Sequence, residues 1–359
     1  MKSVSQARVP ALDGLRSVAV ALVLAGHGAE AYVPDVVKYP FLSPLFNSSL
    51  GVRLFFVLSG FLITSLLLKE YQQRGSVDLM AFMGRRALRI WPALYFYLVV
   101  MIALVHAGII SISSGQFFSA ATFLWNYSPL LVPHSNGQGW WFLGHLWTLS
   151  LEQQFYLVWP FMIMLVGWRR VTIFAFAVPF LLPLLRVLIY FMLPGQRGLL
   201  GMMFHTAIDS ILIGCIFALC QHHIRGWLAA TPWIFSLSLI FVFLISPILG
   251  DCFSPYRITV GFGLDAVCCG ILILSAQLPF DRFTGLWSGF LSLPPLVFIG
   301  SISYGLYLWQ QPFLTSLNST ISGRFPLSIV AALLCAILSY NLIEKPALRA
   351  KRIFARAEL

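Results

Sequence analysis

The sequence predicts an all-α, polytopic integral membrane protein: a helical bundle of about ten transmembrane helices. Of its 359 residues, 59% are hydrophobic and only 10% are charged, whereas soluble domains carry about 25% charged residues. The mean hydropathy of +0.86 is too high for a surface that faces water on all sides. Long apolar stretches also recur along the whole chain. We therefore predict one membrane-embedded domain over residues 1–359.

Ten stretches are apolar enough to cross a bilayer, which takes about 20 mostly apolar residues. They lie at about 12–32, 51–69, 91–111, 150–167, 171–193, 206–222, 232–249, 258–277, 297–317 and 326–344. The ninth is ambiguous, because residues 284–300 are also apolar and contain two prolines. An even number of spans places both termini on the same side of the membrane.

The basic residues indicate which side this is. The chain has 23 Lys and Arg against 12 Asp and Glu, a net charge of +11. If the N-terminus is cytoplasmic, 17 of the 23 basic residues lie on the cytoplasmic side, the bias expected of membrane proteins. We therefore predict that both termini are cytoplasmic. Most of the basic residues then contact membrane lipid headgroups rather than nucleic acid, and a few arginines remain to bind an anionic substrate.

Several common signatures are missing from the sequence. The six cysteines form no CxxC pair and lie mostly in apolar spans, so we expect neither a disulfide framework nor a metal site. There is no Walker A loop, dinucleotide-binding GxGxxG, HExxH or GxSxG motif. We expect no tightly bound cofactor. The N-terminus lacks a signal-peptide pattern, so the first span is expected to remain as an anchor.

The first span contains Asp13, Arg16 and His27. Burying an ionisable side chain within a membrane span costs free energy, so each such residue is a candidate functional residue. Arg16 and His27 are eleven residues apart, so on a helix they differ by about 20° around the axis and about 16 Å along it. Asp13 lies about 40° to the other side of His27. A polar stripe is therefore predicted. His27 is either a buried histidine satisfied by a carbonyl or hydroxyl, or a base that takes a proton near pH 7.

A second group, Arg85, Arg86 and Arg89, precedes Pro92 at the entrance to the third span. It is either a topogenic cluster or a phosphate clamp, because guanidinium groups bind phosphates bidentately. A third group lies in the segment 146–160, which places Glu152 and Tyr156 one turn apart. Glu152 either makes a structural hydrogen bond between helices or orients an imidazole.

Other signals are weaker. The segment 112–149 has four tryptophans and no Lys or Arg, so it is either an aromatic interface belt or a substrate lining. His205 and Asp209 are spaced i, i+4, and Asp265 lies within the eighth span; we expect structural roles for the two aspartates. The segment 303–312 carries Gln310 and Gln311. Glu344 and Lys345 are expected to form a local ion pair or a lipid-facing anchor.

Six segments together resemble the acyltransferase family 3 of bacterial membrane enzymes. They cover the whole chain in the family's order: Pro10–Arg16 with His27, Gly51–Ile63, Arg85–Pro92, Leu146–Pro160, Ser303–Trp309 and Ile343–Pro346. The chain departs from the family at two positions. Many relatives have a second glutamate where this chain has Gln153, and many have His where it has Gln310.

The resemblance implies transfer of an acyl group, usually acetyl, from cytoplasmic acyl-CoA to a hydroxyl of a glycan. Acceptors in similar proteins include O-antigen, exopolysaccharide, peptidoglycan and lipid-linked oligosaccharides. The family's essential His corresponds to His27, and its first-helix Arg to Arg16. Its inner-loop arginines correspond to Arg85, Arg86 and Arg89. Location in the bacterial cytoplasmic (inner) membrane is also implied, while the acceptor and the oligomeric state stay open.

These observations support a working hypothesis for the mechanism. The arginines would hold the phosphates of CoA, and the pantetheine arm would extend toward His27. His27 would deprotonate the acceptor or carry the acyl group, assisted by Asp13 and Arg16, with Glu152 orienting the imidazole. Ser59 or Tyr156 would donate to the oxyanion. The substrate-binding candidates are Ser59, Tyr156, His205, Asp209 and Gln310.

Two other classes of protein remain possible on this sequence. A proton-coupled transporter or flippase of a glycan or lipid intermediate would use His27 and Asp209 as a proton relay. A membrane scaffold would retain the fold without catalysis.

Overall fold

A computed structural model describes residues 9–35, 42–132, 137–318 and 320–350. These ranges are helical, with no strand, which confirms the all-α class. The helices are α1 (Pro10–Tyr32), α2 (Ser48–Arg74), α3 (Leu79–His106), α4 (Ser114–Ala121), α5 (Ser128–Leu131), α6 (Gly139–Phe142), α7 (Leu146–Met192), α8 (Phe204–Ala207), α9 (Asp209–Leu219), α10 (Gln221–Ala230), α11 (Trp233–Ile240), α12 (Ser246–Cys252), α13 (Ser254–Tyr256), α14 (Phe262–Gln277), α15 (Arg282–Leu291), α16 (Pro294–Ser301), α17 (Ser303–Trp309), α18 (Leu327–Ser339) and α19 (Lys345–Ala350).

Seven helices in the described ranges are long and apolar enough to cross a membrane, so the chain is a multi-pass membrane protein. Two bent pairs, α9 with α10 (83°) and α15 with α16 (59°), raise this number to nine if each counts as one span. The 47 residues of α7 would extend about 70 Å as a straight helix, over twice the apolar thickness of a bilayer. A break at Gly167, with φ 77°, divides α7 between the spans predicted at 150–167 and 171–193.

The count of about ten spans and the cytoplasmic termini stay predictions. Residues 1–8 and 351–359 lie outside the described residues, and several of the basic residues used to orient the chain are among them.

The helices around the centre of the bundle pack closely through glycine. A Cβ at Gly60 of α2 would lie 1.9 Å from the carbonyl oxygen of Ile211, and one at Gly214 of α9 would lie 2.2 Å from that of Val57. Side chains of any size would force the two helices apart. Small residues allow such close backbone approach where apolar burial cannot drive helices together in lipid. The α2–α9 contact fixes α2, which carries Ser59, in the middle of the bundle.

Three π-helical turns interrupt the spans, at Phe241–Ile245, Arg257–Gly261 and Tyr340–Glu344. A π turn widens the helix and leaves some carbonyl groups without their usual partners, and such turns are frequent at functional sites. Near the second turn, Arg186 donates to the carbonyl oxygens of Ile258 (2.6 Å) and Thr259 (3.0 Å).

Arg186 also forms a fully buried ion pair. Its Nη1 lies 2.8 Å from Oδ2 of Asp209, and the two side chains are 0% and 1% exposed. The same nitrogen donates to the carbonyl oxygen of Thr206. The guanidinium lies over the ring of Phe262, 5.0 Å from its centroid. Arg186 therefore ties α7, α8, α9 and α14 together.

We expect Arg186→Met to destabilise the fold by about 3–5 kcal/mol, because it leaves the Asp209 carboxylate buried without its cation. Thermal unfolding of the detergent-solubilised protein measures this loss. Arg257→Met is the matched control, since its pair with Asp251 is 55% and 51% exposed and contributes at most about 1 kcal/mol. Equal melting temperatures for the two variants would contradict the structural role of Arg186.

Candidate active site

Three cavities follow one another through the bundle and share their walls. The arginine cavity, about 620 Å³, is lined by Asp13, Arg16, Arg86, Arg89, Tyr304 and Glu344 among others. The neck, about 100 Å³, shares the three arginines and adds Ser59, Glu152 and Tyr156. The histidine cavity, about 450 Å³, shares Val52, Phe56 and Tyr307 with the neck and contains His27. The three cavities therefore lie along one path.

Helix α1 carries residues at both ends of this path. It runs unbroken from Pro10 to Tyr32, so the predicted separation of about 16 Å between Arg16 and His27 along the axis holds. Arg16 lines the arginine cavity and the neck, whereas His27 lines the histidine cavity. The polar stripe predicted on this helix thus faces the interior.

His27 is held by a pair of glutamines. Its Nδ1 lies 2.9 Å from Oε1 of Gln310, and Nε2 of Gln310 donates to Oε1 of Gln311 at 2.7 Å. With the Gln310 amide oriented so that its nitrogen donates to Gln311, its oxygen accepts from His27, and the imidazole proton then lies on Nδ1. The lone pair of Nε2 then remains available. A neutral imidazole in this tautomer is suited to take a proton from a hydroxyl.

Glu152 makes a hydrogen bond between helices, one of the two roles predicted for it, and its hydrogen-bond partner is not the imidazole. It lies in the neck, where Ser59 donates to its Oε1 at 2.5 Å. The Ser59 hydroxyl is also 3.2 Å from the hydroxyl of Tyr156. The residue that orients the imidazole is instead Gln310, which directly follows α17. Ser59 and Tyr156 accordingly face the neck and not His27, so they are not placed as its oxyanion donors.

For the acyl transfer that the resemblance implies, Gln310→Leu is expected to lower kcat by about tenfold to a hundredfold, since a buried donor without its acceptor costs about 1–3 kcal/mol. The KM for the acyl donor should change little, because Gln310 lies outside the arginine cavity and the neck. Steady-state kinetics of the purified variant test this split. Unchanged kcat would exclude Gln310 as the orienting residue, and Gln310→His tests whether the side chain common in relatives can replace it.

Aromatic side chains build much of the histidine cavity. Trp140, Trp141 and Trp147 line it, and the ring of Trp141 is centred 5.9 Å from that of His27. Trp141 is anchored by its Nε1, which donates to the carbonyl oxygen of Gln311 at 2.9 Å. These tryptophans therefore line an internal cavity, while their contact with a substrate stays a prediction.

His145 is a residue of this cavity that the sequence reasoning missed. It is 4% exposed, and its ring packs edge-on against Tyr97 and Tyr307, with centroids 5.6 and 5.4 Å away. Neither ring nitrogen has a hydrogen-bond partner among the described residues. The available signal was its place immediately before the segment Leu146–Pro160.

The arginine cavity contains two of the three predicted inner-loop arginines. Arg86 and Arg89 line it together with Arg16, and Arg86 lies 5.7 Å from the ring centroid of Tyr156. Arg85 instead points to Glu70 of α2, at 3.4 Å, and is not among the residues that line the cavity or the neck. One helical turn separates Arg85 from Arg89, but Arg85 faces the end of α2.

Asp13 and Glu344 provide negative charge beside these arginines. Asp13 is buried and pairs with Arg16 at 2.8 Å, so it positions the guanidinium and is remote from His27. Glu344 was expected to pair with Lys345 or to face lipid. The structure turns it inward: Glu344 is 5% exposed and lines the arginine cavity, whereas Lys345 is exposed.

His205 and Asp209, the substrate-binding candidates spaced i, i+4, have different partners. The His205 ring stacks on Tyr127, and Nδ1 lies 3.0 Å from the tyrosine hydroxyl. Burial lowers the pKa of His205 below its ordinary value. Asp209 lines the histidine cavity but is paired with Arg186, which gives it the structural role expected. Asp265 likewise pairs with Arg53, another wall residue that sequence reasoning did not select.

This arrangement defines a class of protein: a multi-pass membrane protein with an internal path that joins an arginine cluster to an imidazole held by a glutamine. A family model described as an acyltransferase domain matches residues 9–341. The chain therefore belongs to this acyltransferase family.

Two relatives show the range of similarity. O-acetyltransferase OatA of Staphylococcus aureus (strain NCTC 8325 / PS 47) is 31% identical over 366 residues, which cover 96% of this chain and 58% of the relative. Peptidoglycan O-acetyltransferase OatA of Listeria monocytogenes is 27% identical over 380 residues, which cover 95% and 56%. The chain thus spans a little over half the length of these relatives. No solved structure matches it.

Proposed function

We propose that the protein is an O-acyltransferase of the bacterial cytoplasmic membrane that moves an acetyl group from cytoplasmic acetyl-CoA to a hydroxyl of a glycan. One observation carries the proposal. The free Nε2 of His27 lies at one end of an internal path whose other end holds Arg16, Arg86 and Arg89. A base and an anion-binding cluster, joined by a narrow neck, match a long donor that is anionic at one end and reactive at the other.

The donor fits this path by charge and by shape. Arg16, Arg86 and Arg89 would bind its phosphates, since guanidinium groups form charge-assisted, bidentate hydrogen bonds with phosphate. The pantetheine arm would then pass through the neck, where Ser59 and Glu152 offer polar contacts to its amides. The thioester would reach the histidine cavity, which lies about 16 Å from Arg16 along α1.

The chemical step follows from the tautomer of His27. Nε2 would take the proton of the acceptor hydroxyl as its oxygen attacks the thioester carbonyl. The C–S bond would then break, and the imidazolium Nε2–H would donate its proton to the departing CoA thiolate, which returns His27 to its neutral form. Gln310 would keep its oxygen on Nδ1–H throughout, which orients the ring and stabilises its charged form. The products are the O-acetyl ester and CoA.

The acceptor is proposed to be a glycan that enters the histidine cavity from the side opposite the arginines. The tryptophans of this cavity suit a sugar, whose ring presents both apolar C–H groups and hydroxyls. The name of the Listeria relative specifies peptidoglycan, which makes a peptidoglycan strand or its lipid-linked precursor the first acceptor to test.

A proton-coupled transporter is the other candidate, and it would need Asp209 to exchange protons with His27. Asp209 is 1% exposed and paired with an arginine that makes three further hydrogen bonds to backbone oxygens. An ion pair locked in this way disfavours a proton relay.

Incubating the purified protein with acetyl-CoA labelled in the acetyl group, with and without peptidoglycan fragments, separates these functions. The enzyme predicts release of CoA and label on the glycan as an alkali-labile ester. Glycan or lipid flux into proteoliposomes, without turnover of acetyl-CoA, would refute the proposal in favour of a transporter. If the protein shows neither acetyl transfer nor transport, the result would indicate a membrane scaffold.

A further inference from the structure

Glu344 occupies an unusual position in the arginine cavity. It ends the π turn Tyr340–Glu344, and the widened turn places Tyr340 and Glu344 together on the cavity wall. The residue is 5% exposed. Its Oε1 is directed at α17, where a Cβ at Gly305 would come within 2.8 Å of it. A larger residue at position 305 would displace the carboxylate from this position.

One oxygen of this carboxylate, Oε1, accepts no hydrogen bond from the part of the chain that the structure describes. Its polar neighbours are the Ser339 hydroxyl and the Arg89 guanidinium, and no salt bridge joins it to a Lys or Arg of the described residues. Burying a carboxylate with an unsatisfied oxygen is costly unless hydrogen-bond donors are supplied. Arg16 is already paired with Asp13. A hydrogen-bond donor on a bound molecule would satisfy Glu344.

Resting on the donor proposed above, we infer that Glu344 and Tyr340 form the subsite for the adenine base of the acyl-CoA donor, with Glu344 accepting a hydrogen bond from the 6-amino group. The phosphates of the nucleotide end need cations, which the three arginines provide. The base needs an aromatic or apolar surface and an acceptor for its one amino group. Tyr340 provides the first and Glu344 the second, both within the larger cavity and outside the neck.

The test varies the donor and the protein together. Initial rates of CoA release are measured with acetyl-CoA, with its hypoxanthine analogue (an oxygen in place of the 6-amino group) and with S-acetyl-pantetheine. For the unmodified protein, KM should be about tenfold higher or more with the hypoxanthine analogue, the loss expected for one hydrogen bond to a charged group. Glu344→Gln should remove most of this preference, because its amide can donate to the 6-oxygen.

S-acetyl-pantetheine provides the internal control, because it lacks the nucleotide. Its KM should be the same for the unmodified protein and Glu344→Gln. A purely structural glutamate would alter all three donors alike, or none of them, and either result overturns the inference. Tyr340→Leu and Tyr340→Phe form a second pair: only the leucine variant should raise the KM for acetyl-CoA and spare S-acetyl-pantetheine.

Failure of this inference is distinct from failure of the proposed function. If the unmodified protein turns over acetyl-CoA but does not distinguish the hypoxanthine analogue, only the adenine subsite is overturned. If it turns over no acyl-CoA in the presence of glycan, both are overturned.

Discussion

Replacing His27 with alanine is expected to lower acetyl transfer by about 10²–10⁴-fold, the usual contribution of a positioned general base. Two histidines of the described ranges, His27 and His145, line the path. Of these, only the His27 side chain makes a hydrogen bond that orients its ring. The KM for the donor should change far less, because the arginines lie about 16 Å away along α1. The measurement is CoA release and label on the glycan by purified protein.

His106→Ala is the matched control for this variant. His106 ends α3, is exposed and is hydrogen-bonded only to the carbonyl oxygen of Ile102. It should retain full activity and melt at the same temperature as the unmodified protein, and both variants should insert into the membrane. A His27→Ala protein that transfers acetyl at the normal rate would refute the mechanism while leaving the family assignment intact.

Replacing Arg89 with alanine is expected to raise the KM for acetyl-CoA by about tenfold to a hundredfold, because a hydrogen bond to a charged group contributes about 1.5–3 kcal/mol. Arg89 lines both the arginine cavity and the neck, so its loss affects the point where the phosphates would meet the pantetheine arm. The value of kcat at saturating donor should fall much less than in His27→Ala. Donor titrations at fixed glycan concentration measure the two constants.

Arg85→Ala separates donor binding from net charge. It removes the same charge from the same helix, but its guanidinium is directed at Glu70 and away from the cavity. We expect its KM to stay within about twofold of the unmodified protein, as for a partly exposed ion pair. Equal KM changes in Arg85→Ala and Arg89→Ala would indicate a general electrostatic effect. The arginine cluster would then serve to orient the chain in the membrane and not to bind the donor.

Position on a single helix could be predicted well from the sequence. Arg16 and His27 share one face of α1 because an unbroken helix has a fixed rotation and rise per residue. Contacts between distant segments could not be predicted in this way. Gln310 lies 283 residues from His27 in sequence, and Glu152, which seemed a suitable partner by chemistry, bonds to Ser59 because α2 and α7 meet at the neck.

The neighbours Arg85 and Arg89 show the same limit. Their spacing suggested a joint phosphate clamp, yet Glu70 attracts one guanidinium away from the path that the other lines. The position of Glu344 also differs from the one expected from the sequence, again because of local structure. Its adjacent lysine suggested a surface pair, but the π turn rotates its carboxylate into the cavity, and a single extra residue per turn is not visible in an apolar pattern.

The sequence by itself determined that this chain is a multi-pass helical membrane protein, because composition and the length of apolar stretches report directly on the cost of exposing residues to lipid or water. It also placed His27 and the arginines on their helices. The tertiary structure alone decided which polar groups meet. Inside a bundle each buried donor and acceptor takes whatever partner the packing brings within about 3 Å, so Gln310, and not Glu152, sets the tautomer of His27.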